Sequence, residues 1–522
     1  MAELVHWITD FGGVKETLNP SFSKSESRFT RNLSNVSVRY GRISGRQGIN
    51  ELEDITSAAS SDINGLGVLV DRANSANILY RMRALAIDEL DPSGNTWTDR
   101  TGTALTGADT DRPQFVMHKG VLCFTNEGAD RPRRITGTGV NSAVLGGTPP
   151  FCRSMSALFN YLLLGNVSDD GTFTDLGNGP RIVRYSDDYN VSWDLCDGNE
   201  LVFNEIEGEI LAMAPIREEY FMAYGSTGLA RAQFVGGAIR FSHVKVPFGN
   251  GILAPLSLAA IDTETHIFLA TDRELYVTNG WKVVALPPAL IDTLQNTMDV
   301  ANARQCVAFI NHDEETYNLL FPTAASDTWL RGRLVYNYRS KEFYIYTYDG
   351  HEFSRAIFMQ YDDAQANFIA AAGATTGDPR LVFQLDTGTD DNSVQVNRNW
   401  DTDWQAFSTL GDKYLTAITV VGDRNAQTRV SIAIAHNYQT IFRFRRTFAL
   451  RGRRPADTDA RVTYRLPYPI LGNVFNARLR LFNDESTNQA SIRAVGFHYI
   501  TLNKSAQEPA SNVTAGESAG RV

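Results

Sequence analysis

Two adjacent carboxylates, Asp187 and Asp188, are the first residues in the chain whose type and spacing invite a chemical reading. They sit in "GPRIVRYSDDYNVSW", behind a strand-like Arg-Ile-Val-Arg-Tyr run and ahead of Trp193. A carboxylate pair divides acid and base roles when the two environments push their pKa values apart. In glycosidases, however, the two carboxyl groups flank the substrate at about 5 to 10 Å. Adjacent residues on a strand or turn point apart instead. Asp side chains also bond the backbone N–H groups that a chain reversal leaves free, so the pair is expected to form a turn. Trp193 is then expected to pack between strands rather than to stack on a sugar.

Other chemical readings fail on spacing. The Ser-x-Asp-x-Gly-x-x-Trp box of sialidase-like propellers is not met, because "SDDGTF" places Asp170 directly before Gly171 and "DPSGNTW" holds Asp91 and Trp97 in the wrong register. The eight histidines are scattered, without His-x-His or His-Glu-x-x-His spacing, so no metal is expected. "FINHDEET" gathers His312, Asp313, Glu314 and Glu315 but lacks the offsets of a calcium loop, and it reads as a solvated hairpin tip. There is no Gly-x-Ser-x-Gly elbow and no Walker sequence, and no cofactor is expected. "FVGGAIRF" and "VPFGNGILAP" read as tight β turns.

One charge cluster remains. "FRFRRTFALRGRRPADTDARVTYR" carries Arg443, Arg445, Arg446, Arg451, Arg453 and Arg454, with Phe442, Phe444 and Phe448 among them. On a strand, alternation of Phe442 and Phe444 with Arg443 and Arg445 puts aromatics on one face and guanidinium groups on the other. Arginine forks bond carboxylates and phosphates bidentately. A protein interface is the reading preferred for these arginines, with a solvent face or a DNA contact as alternatives.

The elements that must position such residues are strands. The 522-residue chain is 43% apolar and 11% aromatic, contains 41 Gly, and exceeds one ordinary core. Its 49 basic and 59 acidic residues give −10, which offers nucleic acid no general attraction. Cys123, Cys152, Cys196 and Cys306 form no Cys-x-x-Cys pair, so neither zinc nor a disulfide framework is indicated. No segment approaches the ~18 uninterrupted apolar residues of a membrane span, and the start has no basic flank. The chain is expected to be neither classically secreted nor embedded.

Residues 1–50 read as a polar N-terminal arm with a first strand at Val36, Val38 and Tyr40. Residues 51–398 consist of short apolar runs broken by Gly, Asp and Asn, which are strand and hairpin signals. Unit starts recur near Leu66, Pro113, Cys152, Gly208, Pro255, Arg304 and Ser354, spaced for four strands per unit. An all-β chain with a β-propeller of about seven blades follows, a pair of β-sandwiches being the alternative. "PPALIDTLQNTMDVANARQ", with Leu290, Leu294 and Met298, predicts one inserted helix. Residues 399–503 show longer alternating strands and predict a C-terminal antiparallel β-sandwich-like domain. Residues 504–522 read as a flexible tail.

The order of "NVSVRYGRISGRQGI", "NTWTDRTG", "RPQFVMHKGVLCFTNEGADRPRRITG", "LFNYLLLGN", "RIVRYSDDYNVSW", "AYGSTGLARAQFVGG" and "APLSLAAIDTETHIFLATDRELYVTNGWKV" resembles the β-propeller tail hub, or nozzle, proteins of short-tailed bacteriophages. The resemblance spans residues 30–500 as a series of weak local patterns. It implies a non-enzymatic structural protein of the virion tail, assembled in the host cytoplasm into a ring of six copies. That ring would lie below the portal and adaptor, contact other tail proteins, and pass viral DNA through its lumen without sequence specificity. A glycan- or receptor-binding tail protein is the first alternative, and a propeller glycoside hydrolase the second.

Overall fold

A computed structural model describes residues 3–8, 30–39, 42–52, 59, 61–71, 76–91, 96–108, 110–168, 179–186, 200–236, 240–323, 329–348, 350–359, 367–373, 380–388, 390–392, 396, 398–402, 405–406, 412–423, 429–436, 444–449, 461–467, 476–483 and 491–502.

Strands of mostly four to eight residues alternate with hairpin turns and assemble into four-stranded antiparallel sheets. Residues 63–99, 114–144, 151–202, 210–246 and 259–285 each make one sheet, and 307–347 make the sixth. The seventh takes three strands from 353–385 and its fourth from Ile49–Glu51, which pairs with Val382–Leu385. These are the seven blades of a closed propeller. The closure is non-covalent: an early strand completes the last blade, so the ring opens only if that pairing is lost. The first strand of each blade faces the axis, and these inner strands begin within a few residues of each unit start read from the sequence.

Burial explains the two sequence textures. The second strand of a blade is covered on both faces, and Tyr161–Ser168 is buried at every position but the last. The outer strand Phe241–Val246 is half wet, with exposed and buried positions mixed. The inserted helix is Pro288–Thr297, which starts on proline and buries Leu290, Ile291 and Leu294. The acidic stretch at His312 to Glu315 is a hairpin tip, where the Glu314 N–H donates to Asn311 Oδ1.

The N-terminal residues do more than lead into the propeller. Thr30–Ser34 pairs in parallel with the outer strand of blade 6, at Ser34 and Ile345, and antiparallel with Arg398–Thr402 on its other side. The sheet continues through Asn476–Asn483 and Arg429–His436 to Phe444–Ala449 at its edge, making ten strands with blade 6. Facing strands form a second sheet from Val36–Arg39, Arg42–Gly45, Ser491–Leu502, Asp412–Asp423 and Arg461–Pro467, with Glu3–Ile8 along Ser491–Leu502. Of residues 1–50, Glu3–Ile8, Thr30–Ser34, Val36–Arg39 and Arg42–Gly45 are therefore strands of the C-terminal double sheet, and Ile49 and Asn50 belong to the last blade. One hydrophobic core joins Leu319, Leu334 and Tyr344 of blade 6 to Trp400, Ile418, Ile432 and Phe497 of that domain.

Candidate functional site

Two places in the molecule gather buried arginine. The first is the junction of the propeller and the C-terminal sheets. Asn35 turns the chain between two strands with a left-handed φ of 55°, a conformation Asn tolerates better than most residues. Its side-chain carbonyl accepts from the Thr347 N–H at 2.7 Å and from Arg46 Nε at 3.0 Å. Arg46 then forks onto Asp391, with Nη1 at 2.6 Å from Oδ1 and Nη2 on Oδ2, and both side chains are 1% exposed. Its guanidinium also lies over the Tyr348 ring at 4.5 Å. Nearby, Arg333 meets Asp386 the same way at 2.9 and 2.8 Å, and its Nε donates to Asn318 Oδ1 at 3.0 Å. Burial acts to lower both pKa values, but the bonds and charges of Asp391 and Asp386 outweigh it and raise them. Arg46 and Arg333 are thus each neutralised by a carboxylate, whereas the neighbouring Arg398 is pushed down to about 10 by burial and by the charge of Arg46.

The second place is the axis of the propeller. Residues of all seven inner strands, or of the turns leading into them, enclose a channel of about 560 Å³. Its wall is largely apolar, with Met117, Met155, Met213, Leu256, Val307 and Phe309 among its residues. Small residues keep it open: Gly67, Ala157, Ala214, Ala308 and Ala356 lie on five different blades. Gly67 is required for a further reason, because a Cβ there would strike the ring of Phe115 on the next blade.

Arg355 is the one ionisable side chain on that wall among the described residues, and it is 6% exposed. Nη1 donates to the Ser354 carbonyl at 2.6 Å and Nη2 to the Asp111 carbonyl at 3.3 Å. Its buried Nε has no acceptor, and neither has the buried Nε of Arg112. Burial first, and then the charge of Arg112, push the Arg355 pKa down to about 9, against a smaller opposing pull from Glu127. Arg112 is lowered by burial as well, and the charge of Arg304 acts on it in the same direction. The Glu127 carboxylate is already engaged by the Arg112 backbone N–H at 3.0 Å. Two guanidinium groups, Arg355 and Arg112, therefore share one carboxylate, while Arg304 is exposed and acts on Arg112 alone.

Of the arginines singled out in the sequence, the two that are described fall elsewhere. Arg445 and Arg446 lie on the edge strand Phe444–Ala449, opposite Ala433 and Ile432, and Arg446 is exposed. Phe448 packs partly against the main core from this strand. Arg443, Arg451, Arg453 and Arg454 lie outside the described residues, as do Asp187, Asp188 and Trp193. The channel arginines were missed by reading motifs, yet a signal existed: Arg112, Arg304 and Arg355 each stand at or beside a unit start, in three of the repeats.

A possible stacking platform is already occupied. Trp281 is 38% exposed, and the guanidinium groups of Arg217 and Arg231 lie over its ring at 4.2 and 4.1 Å. Three described cysteines, Cys123, Cys152 and Cys306, are buried free thiols, and burial pushes the Cys123 and Cys152 thiols up to about 12.

No protein-family model matches the chain, and no curated protein matches it. Among solved structures it is similar to U3-55K, with a TM-score of 0.41 and 9% identity over 66% of this chain and 100% of that chain. It is similar to the RRP9 WD40 repeats, with a TM-score of 0.41 and 9% identity over 66% and 99%. A third is YCF48 from Cyanidioschyzon merolae, with a TM-score of 0.38 and 11% identity over 65% and 98%.

Proposed function

We propose that the chain is a non-enzymatic structural subunit of a tailed-phage virion, closing with identical copies into a six-membered ring that continues the DNA channel below the portal and adaptor. The ordered resemblance to tail hub and nozzle proteins across residues 30–500 carries this reading. The ten-stranded sheet supports it mechanically: blade 6 and the C-terminal domain share backbone hydrogen bonds and one core, so force applied to either is transmitted to the other.

A ring needs two different patches that fit each other, because its interface is heterologous. The chain exposes side chains of two unlike chemistries that such patches could use. Val235, Val284 and Phe159 are 52%, 54% and 49% exposed on blades 3 to 5. Arg446 and Arg465 are exposed on the two edge strands of the C-terminal domain. The propeller channel, at about 560 Å³, is the size of a small-molecule pocket. The DNA conduit of such a ring is therefore the space between subunits. An acidic chain suits it, since a wall dense in lysine and arginine would hold phosphate by counterion release.

The test is electron microscopy of the protein assembled with its tail neighbours. Six-fold rings are expected. Assembled tails that contain it only as monomers or dimers would overturn the reading, and binding on a glycan array would favour the receptor-binding alternative instead.

A further inference from the structure

We propose that the propeller channel binds a small organic carboxylate with an apolar body, its head group held by Arg355 on the side where Arg112 approaches. The inference does not depend on the tail assignment. It rests on a mismatch between charge and surroundings.

A buried charge is retained at low cost only when a counter-charge or a full set of acceptors meets it. Arg46 and Arg333 satisfy that condition within this same chain. Arg355 does not: it is 6% exposed, its Nε has no acceptor, and no carboxylate lies on the wall among the described residues. Of the nearest charges, the repulsion from Arg112 outweighs the smaller attraction of Glu127, so the guanidinium is left under-compensated. A carboxylate entering the channel would accept from the free Nε and neutralise the cluster, a charge-assisted bond in a dry site.

The remainder of the wall defines the rest of the ligand. Methionine, leucine, valine and phenylalanine side chains surround the space beyond the guanidinium, and methionine adapts to irregular apolar shapes. Inorganic phosphate would fill the charged end and leave that surface wet. Duplex DNA does not fit the volume. An alkyl carboxylate of medium length satisfies both ends at once.

The experiment is titration calorimetry of the full chain with octanoate, octan-1-ol, octylammonium and acetate. Octanoate is expected to bind about ten-fold or more tightly than octanol, the difference a charge-assisted bond supplies. Octylammonium should bind more weakly than octanol, and acetate more weakly than octanoate. Arg355→Met should erase the preference for octanoate while retaining octanol binding, and Arg355→Lys should restore part of it. Ala214→Leu, which fills the wall from another blade, should weaken octanoate and octanol together. The proposal is overturned if octanoate does not bind, if it binds no better than octanol, or if folded Arg355→Met binds octanoate as the unaltered chain does.

Discussion

Arg46 at the junction and Arg355 in the channel are equally hidden from water, and they sit in opposite electrostatic situations. Arg46 meets Asp391 through both terminal nitrogens and Asn35 through its Nε, so folding favours its charged form and raises its pKa. Arg355 has two backbone carbonyls, a free Nε and a like charge for a neighbour, so folding disfavours its charged form and lowers its pKa. The difference teaches that burial of an arginine has no fixed meaning. Where acceptors and a counter-charge are built in, the residue holds elements together; where they are missing, the fold carries a cost that a ligand can relieve.

The largest effect that would break this comparison is at the junction. Asp391→Ala leaves Arg46 buried with its counter-charge removed, and it should cost about 3–5 kcal/mol by denaturant unfolding. Combining Arg46→Met with Asp391→Leu should recover most of that loss, because no charge is then stranded. A double variant as unstable as the single one would show that Arg46 acts through packing alone.

Acid should act next through a buried histidine that belongs to neither region. His266 is fully buried, receives or donates a bond with the Tyr224 hydroxyl at 2.7 Å, and faces the Pro215 carbonyl at 2.9 Å. Burial pushes its pKa down to about 4, against about 6.5 in an unfolded chain. The unfolded state therefore binds the proton first. The stabilisation is complete above pH 6.5 and is lost as pH falls from there through 4, an effect on the order of 3 kcal/mol. His118 is shifted in the same direction, also chiefly by burial. Melting followed between pH 7 and 4 should show the fall, and His266→Gln should flatten it. The ion pairs of Arg46 and Arg333 should contribute little to that slope above the carboxylate range.

A smaller change of opposite sign sharpens the comparison. Arg355→Met removes a charge that the fold does not satisfy, so stability should rise by about 1–3 kcal/mol at neutral pH. Destabilisation of that size would mean that the bonds to Ser354 and Asp111 outweigh the stranded charge. The smallest effect belongs to the exposed edge strand. Arg446→Glu should leave monomer melting within about 0.5 kcal/mol of the unaltered chain, as surface changes usually do. Under the proposed function it should nonetheless reduce tail assembly seen by electron microscopy, and normal assembly would remove Arg446 from the interface.

Much of the propeller was legible because blades are local. Each is a run of hairpins whose partners are close in sequence, so strand length and turn residues suffice, and the starts near Pro113, Cys152 and Ser354 fell within a few residues of the inner strands Gln114–His118, Phe151–Leu158 and Phe353–Met359. The helix at Pro288–Thr297 was legible for the same reason, its four-residue apolar spacing being internal to the segment. The pairing of the early strands was not. Thr30–Ser34 has partners at Ile345 and Asn399, and Ile49–Glu51 has partners at Phe383 to Leu385, more than three hundred residues away. An isolated strand carries no record of which distant edge it completes, so these residues read as a polar arm.

The sequence by itself determined the class of the protein: an acidic, Gly-punctuated, all-β chain whose period of alternation sets short blade strands apart from longer C-terminal ones. Those properties follow from side-chain size and backbone dihedral preference, which act residue by residue. Only the tertiary structure decided which arginines matter and in what way. Arg46, Arg333 and Arg355 look alike in the sequence, each one basic residue among apolar or polar neighbours. Their difference is a carboxylate brought from 345 or 53 residues away to bond Arg46 and Arg333, whereas the acceptors that bond Arg355 are two backbone carbonyls and Glu127 acts on it only as a weaker charge. Electrostatic energy depends on distance in space and on what water is excluded, and neither quantity exists until the chain has closed on itself.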